Sequence, residues 1–242
     1  MNVLVLQHIA IEHPGCFRDF MNADGVHWQP VEVDEGEPIP TLDDFDALIV
    51  MGGPMDVWQE AEYPWLAKEL AAIREAVVNH DLPYLGFCLG HQLLAQALGG
   101  KVGPMEVSEV GVLDVHLTEK ASEDPLFKSM PKTCKGLQWH SAEVRELPPA
   151  SEILASSPLC EIQAFKTHSH AYGVQYHMEQ TPDTVPEWGC VPEYSQALEK
   201  ALGSGALATL KKEVDELLPQ FTANARVFYD NFMSIVRARE IA

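Results

Sequence analysis

The chain has 242 residues, 46% of them apolar, enough to bury a full hydrophobic core. Its 36 acidic residues against 16 basic ones leave a formal charge of −20; a surface of that sign repels phosphate backbones and anionic lipid, so no nucleic acid and no membrane partner is expected. The five cysteines (Cys16, Cys88, Cys134, Cys160, Cys190) are odd in number and never spaced as CxxC, which argues against a disulfide framework or zinc knuckle and suits a reducing, cytoplasmic setting.

In chain order, the apolar start Val3-Leu4-Val5-Leu6 has no basic residue ahead of it and ends at Gln7-His8. It is too short for a signal peptide and reads as a buried first strand. Ala47 to Met51 is typical of the longest apolar runs, far below membrane-spanning length. With Tyr84 to Phe87 these runs predict strands buried on both faces, as in a parallel sheet. Between the second and third, Pro64 to His80 carries Leu66, Leu70, Ile73 and Val77 on one helical stripe, with Pro64 in the tolerated first turn. Strand, helix and strand in this order predict right-handed βαβ units in an open α/β sheet. A second helix is predicted from Cys88 to Leu98, stopped by Gly99-Gly100.

From Lys101 to Gln175 short β-rich pieces follow: Val112 to Leu117, Gly136 to Trp139, Ile153 to Ala155, Ile162 to Phe165 and Tyr172 to Gln175. They are expected as antiparallel or edge strands added to the same sheet, which makes it mixed. After the Pro- and Trp-containing stretch Pro182 to Tyr194, two amphipathic helices are expected, one on Leu207, Leu210, Val214 and Leu217, the other on Phe221, Ala225, Phe228, Phe232 and Ile235. The expectation is a single domain over 1–242, with a core of about 1–181 and a helical C-terminal extension of about 182–242.

Chemistry concentrates in Gly86-Phe87-Cys88-Leu89-Gly90-His91-Gln92. A buried strand running straight into a helix, with glycines two residues before and after a cysteine, is the geometry of a nucleophile elbow. The turn strains the nucleophile's backbone, so its neighbours must lack Cβ. It also sets the sulfur at the carboxyl edge of the sheet and at a helix N-terminus, which favours thiolate. The Leu89 N–H then points toward an oxyanion, and Gly53 of Met51-Gly52-Gly53-Pro54, at the same edge, is the candidate second donor. The candidate base is His177, at the end of a late strand, with Glu179 placed to take its second ring N–H. Gln7-His8 and Glu12-His13 lie at the same edge and read as satisfied loop polarity rather than pocket lining. His168 and His170 fall in a hairpin turn without carboxylate or thiolate company, so no metal is expected. Trp188 and Tyr194 either cover the site or pack the C-terminal helices.

These residues resemble the class I (triad-type) glutamine amidotransferases, whose pattern joins a Gly-x-Cys-x-Gly-(His/Met)-Gln elbow, an upstream Gly-Gly-Pro loop and a terminal Gly-x-Gln-(Phe/Tyr)-His-Pro-Glu. The likeness covers roughly residues 1–181 and is nearest to stand-alone members similar to the GMP synthase glutaminase domain. It implies a flavodoxin-like sheet, Cys88 as nucleophile, His177 as base and then acid, and Glu179 as orienter. Gly53 and Leu89 would form the oxyanion hole, and Gln92, Gly52, His140 and Ser141 would bind a substrate that is glutamine or another γ-glutamyl compound, without a cofactor. A separate synthetase partner would accept the ammonia; the rivals are a free-standing γ-glutamyl hydrolase and a non-catalytic relative. Two departures stand out. Met178 replaces the family's proline, removing a backbone lock between His and Glu, and Trp139-His140-Ser141-Ala142-Glu143 lacks the usual His-Gly-Asp spacing.

Overall fold

The computed structural model describes residues 1–241. The chain runs β1 (Asn2–Gln7), α1 (Cys16–Ala23), β2 (His27–Glu32), β3 (Ala47–Val50), α2 (Trp65–Arg74), β4 (Tyr84–Phe87), α3 (Leu89–Ala97), β5 (Lys101–Leu117), β6 (Thr133–Glu146), β7 (Glu152–Ser156), β8 (Ala164–Thr167), β9 (Ala171–Val174), α4 (Thr184–Trp188), α5 (Pro192–Leu202) and α6 (Ala206–Ile241). One mixed sheet takes the strands in the order β2-β1-β3-β4-β9-β8-β7-β5-β6. From β2 to β9 neighbours are parallel; from β9 to β6 they are antiparallel.

The parallel strands β1, β3 and β4 are buried on both faces, which is why they read as unbroken apolar runs. Alternate residues divide between two cores. Val3, Val5, Ile49 and Leu85 face Phe17 of α1 and Phe228 and Phe232 of α6. Leu4, Leu6, Leu48 and Val50 face Leu66 and Ile73 of α2 and Leu93 of α3. A third cluster joins the β5–β6 ribbon (Val110, Leu137, Trp139) to Trp188, Tyr194 and Leu198 of α4 and α5.

Four features depart from the sequence expectation. α1 and β2 were not legible, because β2 is an edge strand, mostly exposed and interrupted by Pro30, with no apolar run to mark it. β5 and β6 extend well beyond Val112 to Leu117 and Gly136 to Trp139, their polar halves pairing as a ribbon. β9 is neither an edge nor a purely antiparallel strand: it pairs parallel with β4 at the centre of the sheet. The two expected C-terminal helices are one, α6, with Pro219 inside it. Proline there costs a hydrogen bond, about 3 kcal/mol; Val214 and Phe221, buried on either side against one core, and Ala225 and Phe228 against another, hold the helix through it. Among the described residues no helix is long and apolar enough to cross a membrane.

Candidate active site

Cys88 lies between β4 and α3 with φ 49° and ψ −102°, a conformation that penalises any residue bearing Cβ. The turn closes so tightly that the flanking glycines are obligatory. A Cβ on Gly86 would lie 2.4 Å from the Gly90 carbonyl, and one on Gly90 would lie 2.2 Å from the Val50 oxygen. Cys88 donates its N–H to Val174 at the end of β9 (2.8 Å), and Gly90 donates to Met51 at the end of β3 (3.1 Å). The elbow is thus stitched to the strands on either side of β4.

That stitching places β9 beside Cys88, and the chain reaches His177 three residues after β9 ends. A two-way bridge pins His177 to Leu137 of β6, its N–H donating at 2.9 Å and its carbonyl accepting at 3.1 Å. The buried ring puts Nδ1 2.6 Å from Glu179 Oε1, and the Cys88 thiol lies near enough to act on its pKa. Burial alone would lower the pKa of His177; the Glu179 charge, the nearby Cys88 thiol and the ring's hydrogen bond to Glu179 outweigh it and hold the imidazole well above its usual range. The imidazolium is therefore available to stabilise a thiolate. Trp188 of α4 sets its ring against the imidazole, edge to face at 4.6 Å.

The residue between His177 and Glu179 makes a bond that proline could not. The Met178 N–H donates to Glu179 Oε2 at 2.9 Å, so the two carboxylate oxygens are held by two different donors. In place of the lost proline lock there is a hydrogen bond. Behind it, the Glu179 carbonyl accepts from Cys16 N–H at 2.8 Å, and Gly15 passes so close that a Cβ would sit 1.7 Å from that oxygen.

Leu89 opens α3, where a helix amide has no intrahelical acceptor, and Gly53 N–H has no acceptor among the described residues. Both residues line the cleft that holds Cys88, together with Gln92, His140, Ser141 and Tyr194. Two amides without acceptors at a cleft that also holds a thiol are the donors an oxyanion site needs. A roomier hollow between residues 33–43 and α2 holds none of these groups.

The remaining predicted site residues divide. Gln92 is buried in the cleft wall with its Nε2 donating to Gln175 Oε1 (3.0 Å) and to the Ala142 carbonyl (3.3 Å). His140 has both ring nitrogens bound within the protein, Nδ1 to the Ala142 carbonyl (2.9 Å) and Nε2 to buried Glu109 (3.1 Å), so it shapes the wall rather than offering a free nitrogen. Ser141 is exposed at the rim, and Gly52 passes against the imidazole: a Cβ there would be 3.2 Å from His177 Cε1.

Of the residues read as loop polarity, Gln7, His8 and Glu12 are in fact buried and His13 is half-buried. His8 bonds Glu69 and the Gly52 carbonyl. Glu12 accepts from the Tyr194 hydroxyl at 2.5 Å, and burial raises its pKa. Tyr194 is thereby fastened over the cleft, while Trp139 Nε1 donates to its carbonyl at 3.0 Å. Glu69 escaped the sequence reading altogether: a carboxylate facing inward on the apolar stripe of α2 was the signal available.

The chain matches the family model described as glutamine amidotransferase class-I over residues 20–186. It is 30% identical over 208 residues to the glutamine amidotransferase-like protein YfeJ of Salmonella typhimurium, covering 84% of this chain and 85% of that one. It is 43% identical over 108 residues to a subunit of the glutamine-hydrolyzing GMP synthase of Pyrococcus abyssi; that match covers 44% of this chain and spans only 56% of the relative's length. Among solved structures, a glutamine amidotransferase from Thermotoga maritima superposes with a TM-score of 0.85 at 26% identity, covering 96% of this chain and 97% of the other.

Proposed function

The chain belongs to the class I glutamine amidotransferases, and within that family we propose that it hydrolyses a γ-glutamyl amide, with glutamine the first substrate to test. The observation that carries this reading is the strained Cys88 turn delivering a thiol to an imidazole held by a carboxylate 2.6 Å away. His177 takes the Cys88 proton and the thiolate attacks the γ-carbonyl carbon. The resulting oxyanion is held by the Gly53 and Leu89 amides. The C–N bond then breaks, His177 returns the proton to the departing nitrogen, and ammonia or an amine leaves a γ-glutamyl thioester on Cys88. Water deprotonated by His177 attacks that thioester, releasing glutamate and the free thiol.

Asp56 and Glu193 stand at the cleft, with no lysine or arginine among the described residues lining it. That polarity suits the ammonium end of a glutamyl group and is the support for an amino-acid substrate. The whole chain acts as one catalytic unit in this reading, since residues beyond 181 supply Trp188 and Tyr194 to the site. Relatives named as one subunit of a glutamine-hydrolyzing GMP synthase support transfer of the ammonia to a separate synthetase partner.

The test is a substrate panel. Ammonia release from L-glutamine supports the glutaminase reading; release of amines from γ-glutamyl conjugates alone moves the assignment to a free-standing hydrolase. Cys88→Ala abolishes turnover of either. Silence of the wild type on both, or full activity of Cys88→Ala, overturns the proposal.

A further inference from the structure

His8 directly follows β1 and is fully buried, as is Glu69 of α2. Its Nε2 lies 2.9 and 3.1 Å from the two Glu69 oxygens, and its Nδ1 lies 2.8 Å from the Gly52 carbonyl oxygen. A carbonyl only accepts, so Nδ1 carries a proton and donates; the second proton of the pair lies between Nε2 and the carboxyl. The ring also stacks on Trp65 at 5.5 Å and 20°, which stops it from swinging away. A buried ion pair is a poor way to stabilise a core, because desolvation consumes most of its attraction. Among the described residues, the one hydrogen bond this pair makes outside itself goes to a single backbone carbonyl.

That carbonyl belongs to the Gly52–Gly53 peptide. The peptide is trans, as are the others described, so its C=O and N–H point in opposite directions. With glycine on both sides, it meets little resistance to rotating as a plate. Nothing larger fits at Gly53, where a Cβ would lie 2.9 Å from His8 Cβ and 3.0 Å from the Leu89 side chain. A plate that must be glycine, and so is free to turn, needs an external hold if its N–H is to keep one direction.

We infer that His8 and Glu69 form a positioning pair that locks the Gly52 carbonyl away from Cys88, so that the Gly53 N–H stays aimed at the oxygen of the carbonyl under attack. The inference rests on the proposed Cys88 chemistry. It adds two residues that touch no substrate yet govern the oxyanion site. Both thioester formation and its hydrolysis pass through a tetrahedral oxyanion, so the pair acts on each half-reaction.

Histidine's two nitrogens can be separated by substitution. Asparagine places an amide near Nδ1 and glutamine places one near Nε2, so, in a Glu69→Gln background that leaves no bare carboxylate, His8→Asn keeps the Gly52 bond and His8→Gln keeps only the contact with residue 69. Turnover is measured on whichever of L-glutamine or γ-glutamyl anilide the wild type uses. Alkylation of Cys88 by iodoacetamide is measured beside it, because that displacement uses the thiolate and develops no oxyanion.

We expect Glu69→Gln to lower kcat several-fold. His8→Asn should stay within about threefold of that background, and His8→Gln should fall about 10²-fold below it, the scale of losing an oxyanion donor. KM and the alkylation rate should hold within about twofold throughout. Equal losses in the two His8 variants, or alkylation falling in step with kcat, overturn the inference. If a His8 variant does not fold, Glu69→Gln alone decides: a lower kcat at unchanged alkylation supports the pair, and an unchanged kcat overturns it. Wild-type silence on both substrates, or an active Cys88→Ala, refutes the parent chemistry instead.

Discussion

Glu179→Gln keeps size and shape and changes only charge and donor pattern, and its cost follows from the two donors on the carboxylate. His177 Nδ1 lies 2.6 Å from one oxygen, and Met178 N–H donates to the other at 2.9 Å. A carboxylate satisfies both, whereas an amide has one accepting and one donating end. Turned one way, the introduced amide leaves the buried Met178 N–H facing another donor, worth about 1–3 kcal/mol. Turned the other way, it forces the proton of a neutral His177 onto Nε2, the nitrogen that must receive the thiol proton. Loss of the negative charge also withdraws the main support for the raised pKa of His177. Together these put about 3–5 kcal/mol on the barrier, a fall in kcat of about 10²–10⁴. Steady-state glutamate release reads it, with KM little changed because Glu179 touches no substrate. Met178→Pro removes the competing N–H, so the double variant Glu179→Gln/Met178→Pro should recover about tenfold over Glu179→Gln. A Glu179→Gln enzyme within threefold of wild type, or a double variant no better than the single, refutes this reasoning.

Gly90→Ala drives a Cβ to 2.2 Å from the Val50 oxygen; the forced backbone shift should cost about 3 kcal/mol or more, read as a lower urea midpoint at unchanged m. Cys88→Gly relieves the positive φ that Cys88→Ala retains, so among these two inactive variants the glycine should be more stable by about 1 kcal/mol, and equal midpoints would deny the strain. His91 is buried with neither ring nitrogen in hydrogen-bond geometry, and burial drives its pKa down to about 3. Its unfolded pKa is about 6.5, so only the unfolded chain gains a proton as pH falls from about 6.5 toward 3, and stability drops across that window. His91→Met should flatten the loss between pH 7 and pH 4.5 in urea titrations; an unchanged slope would exclude His91 as its source. His8 and His177, whose pKa values are raised in the fold, act with the opposite sign: their stabilisation is full below about pH 6.5 and is lost as pH rises through their folded pKa values.

The legible part of the site was the part written in local sequence. Two glycines around Cys88, between an apolar run and a helical pattern, dictate a strained turn whatever packs around it. The strands buried on both faces were legible for the same reason, since solvent exclusion leaves unbroken apolar runs. β2 left no such mark, because an edge strand exposed on most of its length can carry His27, Gln29 and Pro30. α6 carries two apolar stripes, and Pro219 between them lowers local helix propensity; the cores packed on both sides of it join them into one helix.

Taken by itself, the order of residues determined the elbow, the apolar parallel strands and the types of group a thiol hydrolase needs, because these depend on backbone sterics and burial within a few neighbouring positions. Tertiary structure decided how His177, already singled out by its strand end and motif, comes beside the elbow, since that turns on β9 pairing with β4 in the middle of the sheet. It alone brought Glu69 of α2 under His8, and Tyr194 of α5 onto Glu12. Contacts between side chains so distant along the chain depend on strand order and helix docking, and no local pattern encodes those.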